Sequence, residues 1–305
     1  MITLARGIGF VDLRFLDTPQ IIGTAVFQSP HGVTLLDPGP TTCLDTLGRS
    51  LAAHGIGIAD IETILLTHIH LDHAGATGAL VAANPRMVVF VHERGAPHMI
   101  DPSRLLASAT RLYGAEMDRL WGRVDPVPAR NLRVLKGGEQ VTVAGKRLQV
   151  AYTPGHASHH VSFLDEESRI AFVGDTAGIH VTGLQYVMPA APPPDIDLEA
   201  WTESARAIIA WQPRTLLLTH FGPTDRVATH FQELMERIEE MNRHVRALLA
   251  RELSDEAREE AFVAEVGRAL RRELPETDAR KYANGGPARY TYQGLARYWR
   301  KKLGR

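Results

Sequence analysis

Ile64-Leu65-Leu66-Thr67-His68-Ile69-His70-Leu71-Asp72-His73-Ala74-Gly75 carries most of the information in this chain. Four metal-capable side chains fall within six residues, His68 to His73, directly after an apolar run. The run Ile64-Leu65-Leu66 reads as a buried strand, and a strand end is a rigid mount for ligands. Neutral imidazole and carboxylate together suit Zn²⁺, Fe²⁺ or Mn²⁺. His68 and His70 are two apart, so in extended backbone they point the same way. Asp72 and His73 fall where the chain bends toward a helix, and can face a second ion. The competing reading is a His-rich surface loop, and the density of ligands at a strand end argues against it.

Composition narrows the class. A chain of 305 residues can bury a sizeable core, as one large domain or one plus an appendage. Hydrophobic content of 44% and charged content of 23% are those of a soluble globular protein. A net charge of −1 gives no drive toward nucleic acid or an anionic membrane. Cys43 is the only cysteine, so no intrachain disulfide can form and a reducing compartment is expected. The first residues lack the apolar core of a signal peptide, and no stretch is long enough to span a bilayer. The expected setting is cytoplasmic.

Strands are expected over 8–36, where β-branched runs flank the turn Ser29-Pro30-His31-Gly32, and a helix from Thr41 or Thr42 to about His54. Residues 97–122 read as helical. Strands resume at Leu132 and lead into Thr153-Pro154-Gly155-His156, whose Pro-Gly turn brings His156 close to an ion. The strand Arg169-Ile170-Ala171-Phe172-Val173 releases a single Asp175 at a glycine-flanked end. A long connection follows, with Pro192-Pro193-Pro194 expected to be extended. Thr215-Leu216-Leu217-Leu218-Thr219-His220 then echoes Ile64-Leu65-Leu66-Thr67-His68. From about Ala228 the chain turns rich in Glu, Arg, Leu and Ala, and reads as three or four amphipathic helices. The expected domains are therefore 1–228 for the catalytic body and 229–305 for a helical extension.

The motif His68-x-His70-x-Asp72-His73, followed in order by His156, Asp175 and His220, resembles the metallo-β-lactamase-fold hydrolase superfamily. The resemblance implies an α/β fold, a four-layer αβ/βα sandwich, here with a C-terminal helical extension. Matched residue by residue, it implies His68, His70 and His156 on one metal, Asp72, His73 and His220 on a second, and Asp175 bridging both. It implies two divalent ions, zinc first, with iron or manganese as alternatives. Two ions about 3.5–4 Å apart hold a bridging hydroxide that attacks the substrate. Asp72 and Asp175 are the catalytic carboxylates expected to offset the ionic charge, and a carboxylate or metal-bound water protonates the leaving group. Thr67, Thr219 and Asp37 are candidates to orient the histidines from behind. His159, His180 and Tyr186 are candidate substrate contacts.

The expected function is a dinuclear metal-dependent hydrolase for an ester-like bond: carboxylic ester, lactone, thioester or phosphoester. Lactonases of the family carry a Tyr just past the bridging Asp, where this chain has Thr176-Ala177-Gly178. Glyoxalase II-like thioesterases share a C-terminal helical region, but their basic glutathione cluster has no match in the sequence. The alternatives are a mononuclear-iron persulfide dioxygenase and a non-catalytic binding protein. The expected partner is a small-molecule substrate, without nucleic acid or membrane, and with homo-oligomerisation left open.

Overall fold

Period-two alternation of apolar side chains builds the body of this protein. In a computed structural model that describes residues 1–305 except His31, Thr182 and Arg305, strands β1 (Ile2–Ala5), β2 (Ile8–Asp12), β3 (Gly23–Ser29), β4 (Gly32–Leu36), β5 (Ile61–Leu65), β6 (Val88–His92) and β7 (Leu132–Leu135) lie side by side in chain order. The chain continues through β8 (Gln140–Val143), β9 (Lys146–Tyr152), β10 (Val161–Asp165) and β11 (Ile170–Phe172), a two-stranded ribbon of β12 (Ile179–His180) and β13 (Val187–Met188), then β14 (Thr215–Leu218) and β15 (Gly222–Thr224). Outside the ribbon these form a second sheet in the order β15-β14-β11-β10-β9-β8. His31, in the expected turn between β3 and β4, lies outside the described residues.

Each strand splits its apolar residues between two cores. Phe27, Leu36 and Leu65 of the first sheet meet Phe163, Phe172 and Leu217 of the second, with the rings of Phe27 and Phe172 5.0 Å apart. The alternate residues Val26, Leu35 and Ile64 face outward onto helices α1 (Leu44–Ala52), α2 (Leu71–Ala74) and α3 (Thr77–Ala83). On the far side Leu164, Ala171, Leu216 and Leu218 face another helical layer. The result is the four-layer αβ/βα sandwich.

The helical stretch expected over residues 97–122 is broken rather than continuous. It forms α4 (Ala96–Ile100), α5 (Ser103–Tyr113) and α6 (Met117–Leu120), interrupted at Pro102, which cannot continue a helix, and at Gly114 with φ +56°. The second outer layer holds α7 (Leu198–Ala210), α8 (Val227–Leu249), α9 (Asp255–Glu273), α10 (Glu276–Gly285) and α11 (Ala288–Lys302). Leu234, Phe262, Tyr282 and Leu295 of the C-terminal helices share one apolar cluster with Trp201, Leu164 and Leu216. These helices are therefore built onto the second sheet through a continuous core. The expected extended proline run contains a cis Pro193–Pro194 peptide.

Candidate metal centre

Asp37 organises the residues behind the site. It leaves β4 buried, at φ +53°, and its carboxylate gathers groups from two distant parts of the chain. Thr67 donates its backbone N–H at 2.8 Å and its hydroxyl at 2.7 Å, and Thr219 donates its hydroxyl at 3.0 Å. His73 Nδ1 donates at 2.8 Å. The two Thr-His strand ends that echo each other in sequence thus meet on one carboxylate. Each threonine then delivers the following histidine, His68 or His220, to the same end of the sandwich.

Outer partners fix which ring nitrogen of each histidine faces inward. The Thr67 hydroxyl is already donating to Asp37, so at 3.1 Å it accepts from His68 Nδ1. His156 Nδ1 donates to the Ala190 carbonyl at 2.7 Å, and His220 Nδ1 to the Ile21 carbonyl at 2.7 Å. With Nδ1 protonated in His68, His73, His156 and His220, each Nε2 turns a lone pair inward. His68 Nε2 and His156 Nε2 stand 3.0 and 2.9 Å from His70 Nδ1. Three imidazole nitrogens that close, with at most one proton among them, call for a cation. Nitrogens about 2.0–2.1 Å from a shared tetrahedral ion stand a little over 3 Å apart, which fits the spacing seen.

Asp175 joins this group to a second. Its Oδ2 lies 3.4 Å from His156 Nε2, while Oδ1 lies 3.1 Å from His73 Nε2 and 3.7 Å from His220 Nε2. Asp72 Oδ2 lies 3.2 Å from His220 Nε2 and 3.9 Å from His73 Nε2. His73 Nε2 and Asp175 Oδ1 are buried with no other hydrogen-bond partner among the described residues and face each other at 3.1 Å, as two ligands of one ion would. The ligand-capable atoms fall into overlapping groups: His68, His70, His156; His68, His73, Asp175; and Asp72, His73, His220. The residue types and the orphaned atoms fit divalent metal ions.

Charge tells the same story. Burial and the neighbouring His73 push His68 well below its ordinary value, and burial with His156 holds His70 at about 4. Neutral imidazole is the form that ligates a metal. Burial would raise Asp72, but His73 and His220 outweigh it and hold it at about 2. The same opposition holds Asp175 well below the usual carboxylate range, through His73, His220 and His156. Burial would lower His73, but Asp175, Asp37 and Asp72 raise it well above normal. The carboxylates therefore draw positive charge into the cluster, the charge a bound cation would bring.

His159 is buried beside His68 and His70, its ring 6.0 Å and 5.5 Å from theirs, and lines an adjoining cavity. His180 and Tyr186 stand elsewhere than the sequence expectation placed them. His180 packs its ring 5.5 Å from His230, and Tyr186 lies under Arg237 at 3.9 Å; neither lines the cavities that touch the cluster. The ribbon β12-β13 turns both into the helical layer. Cys43 is buried packing, its thiol pushed up to about 11 by burial. Sequence reasoning passed over His160, which accepts from the Asp175 N–H at 3.2 Å and bonds Thr153 at 2.9 Å. It also passed over Tyr113 and the loop before α11. A cavity of about 530 Å³ opens onto His70, Asp72, His156, Asp175 and His220, and Tyr113 and Tyr290 form part of its wall. No local signal marks these residues, because they arrive from elements far apart in the chain.

Five inward-facing imidazoles and two carboxylates at one end of a double-sheet sandwich define the metal-dependent class of hydrolase folds. The family model described as the metallo-beta-lactamase superfamily matches residues 21–220, and the chain belongs to that superfamily. It is 30% identical over 166 residues to a hydroxyacylglutathione hydrolase of Synechococcus sp., covering 54% of this chain and 53% of that protein. It is 28% identical over 218 residues to the atrochrysone carboxyl ACP thioesterase of Aspergillus fumigatus, covering 71% of this chain and 55% of that protein. The match thus spans about half the length of these curated relatives. Among solved structures, the metallo-beta-lactamase family protein TTHA1429 of Thermus thermophilus aligns with a TM-score of 0.67 at 26% identity, covering 99% of this chain and 95% of that one. Among the described residues no helix is long and apolar enough to cross a membrane.

Proposed function

We propose that this protein is a dinuclear metal-dependent hydrolase of an ester-like bond, with thioesters the first class to test. The observation that carries the reading is Asp175, whose two oxygens face two different groups of histidines. The names of the two relatives, a hydrolase and a thioesterase, support the bond class.

Divalent ions, zinc, iron or manganese, would be held by His68, His70 and His156 on one side and Asp72, His73 and His220 on the other, and would supply Lewis acidity and ionise water at neutral pH. Asp175 would hold the two groups in register. Of the two carboxylates that line the cavity Asp72 is the more exposed, with 20% of its side chain exposed against 4% for Asp175. Held ionised, it can take a proton from water and pass it to the leaving group. Tyr113 has no hydrogen-bond partner among the described residues, and burial with Asp72 nearby pushes its hydroxyl well above its ordinary value. It remains a donor at neutral pH and can orient the substrate's carbonyl or leaving group. The rings of Phe15 and Trp121, 5.5 Å apart in the same cavity, exclude water from one side.

The test is elemental analysis of protein purified without chelator, followed by a chromogenic panel of thioesters, esters, lactones and phosphoesters. Two metal equivalents per chain and chelator-sensitive hydrolysis are expected. A single iron that does not rise on adding metal overturns the dinuclear reading and points to an oxygenase.

A further inference from the structure

The cavity at the metal cluster is not closed. It continues past His70, Tyr113 and Pro192, which it shares with a second cavity of about 600 Å³. The second cavity carries Arg94, Arg104, Arg111 and Arg297, with Asp195 the only carboxylate in its wall among the described residues. Arg94 follows β6, Arg104 and Arg111 sit two turns apart on α5, and Arg297 comes from α11. On the C-terminal helices some arginines are paired, Arg237 with Glu273, Arg258 with Asp255 and Arg268 with Glu265, while Arg271 and Arg272 form no ion pair with a described residue. None of the four guanidinium groups at the cavity forms an ion pair with a described residue. Asp195 is itself engaged, accepting from the Ser158 hydroxyl at 2.6 Å. The chain as a whole carries a net charge of −1, so this is a local concentration of positive charge, in which Arg94 lies over the Tyr152 ring at 5.7 Å.

We infer that the arginine-lined cavity binds the anionic arm of an elongated substrate, with the bond to be cleaved lying at the metal cluster. This rests on the hydrolase reading above for what happens at the near end. A guanidinium presents a planar fork that matches the paired oxygens of phosphate or carboxylate. Four such forks around one concavity suit an arm with two or more anionic groups. The volume lies within the roughly 300–1,000 Å³ of small-molecule sites, and the groups line a recess rather than a flat face, so a small molecule fits better than a protein surface. Because the arm's charge is remote from the scissile bond, the arginines act as specificity-determining residues.

The experiment compares wild type with the double variant Arg104→Gln, Arg297→Gln. Both side chains are exposed, so replacing them leaves the core intact. Calorimetric titration uses three capped thiols that cannot ligate metal through sulfur: S-methyl coenzyme A for phosphate, S-methylglutathione for carboxylate, and N-acetyl-S-methylcysteamine as the neutral probe. At least one anionic probe is expected to bind wild type, more weakly as salt rises, and to lose roughly ten- to a hundredfold affinity in the variant. Which of the two anionic probes binds identifies the anion. In parallel, kcat/KM is measured for one acyl group carried on each of the three thiols, and the anionic-to-neutral ratio is expected to fall by a similar factor. Equal binding of the neutral and anionic probes, or equal binding by wild type and variant, overturns the inference. Hydrolysis of none of the three thioesters with anion binding intact would overturn the thioester reading instead and leave the subsite standing.

Discussion

A single buried carboxylate, Asp37, receives hydrogen bonds from Thr67, Thr219 and His73, none of which is its neighbour in the chain. Replacing it by Ala strands those donors in the interior. Asp37→Ala is expected to cost about 3–5 kcal/mol of stability and to weaken metal binding by about 10–100-fold, read by thermal unfolding and metal titration. His159→Ala, which removes a cavity wall and no donor to Asp37, is expected to keep its metal. A variant of Asp37 with unchanged metal affinity would contradict the positioning role. A second residue-scale effect is set by pH. Burial pushes His180 and His230 down to about 4 from an ordinary 6.5. Between those values the unfolded chain binds protons that the folded chain refuses, so stability rises with pH across this window and is lost as pH falls through it. The loss is on the order of 3 kcal/mol per group at full titration. His230→Gln keeps a donor for the Ala177 carbonyl, 2.8 Å from His230 Nε2, and removes the titration. Its urea-unfolding free energy is expected to fall less steeply from pH 6.5 to 4; parallel curves would refute the assignment.

At the scale of elements, the site depends on how closely strand ends approach one another. Gly174, two residues past the end of β11, stands at φ +45°, and a Cβ there would lie 2.6 Å from both His160 Nε2 and Thr67 Oγ1. Those atoms hold Asp175 and Asp37 respectively, so they cannot yield without moving the site. Gly174→Ala is expected to fold with reduced stability and a clear loss of metal occupancy, measured by elemental analysis against wild type. The Gly155 turn before His156 is equally tight: at φ +137° its Cβ would lie 2.3 Å from the Trp201 backbone on α7. This is why a Pro-Gly pair stands where the third histidine must enter. Across the mouth, α5 and α11 meet through Tyr113 and Tyr290, rings 5.1 Å apart, so α5 and the C-terminal helices jointly frame the opening.

For the whole molecule, the C-terminal helices join the layer covering the second sheet to the wall of the site. On α11, Tyr292 and Leu295 are buried in the helical layer, while Tyr290, Gln293 and Arg297 line the two cavities. Trp299 donates its Nε1–H to Asn242 of α8 and lies under Arg246. The double variant Tyr292→Ala, Trp299→Ala should therefore lose about 3–5 kcal/mol or more of stability. The residues grouped in the cluster all precede α8, so metal content is expected to stay near wild type. KM is expected to rise more for bulky substrates than for small ones, because only the outer wall loosens. Loss of metal, or an equal effect on large and small esters, would mean that these helices support the cluster itself.

What the sequence determined by itself was the periodicity and the inventory of metal-capable side chains. Alternating apolar runs, interrupted by turn residues, are enough to specify two sheets with an inner and an outer face. The motif from His68 to His73, with His156, Asp175 and His220 placed at strand ends and turns, is readable because metal ligands must be His or carboxylate and stand on rigid supports. The echo of Thr67-His68 in Thr219-His220 was visible as well, but its cause, the shared Asp37, was not. Hydrogen bonds between residues 30 or 182 positions apart leave no local pattern. Likewise His180 and Tyr186 lie near Asp175 in the chain, and only the pairing of β12 with β13 decided that they turn away from it. Arg94, Arg111 and Arg297 look like ordinary surface charges in sequence. Packing of α5 and α11 against the open end of the sandwich brings them to one cavity, because side-chain convergence across layers is a property of the tertiary contacts alone.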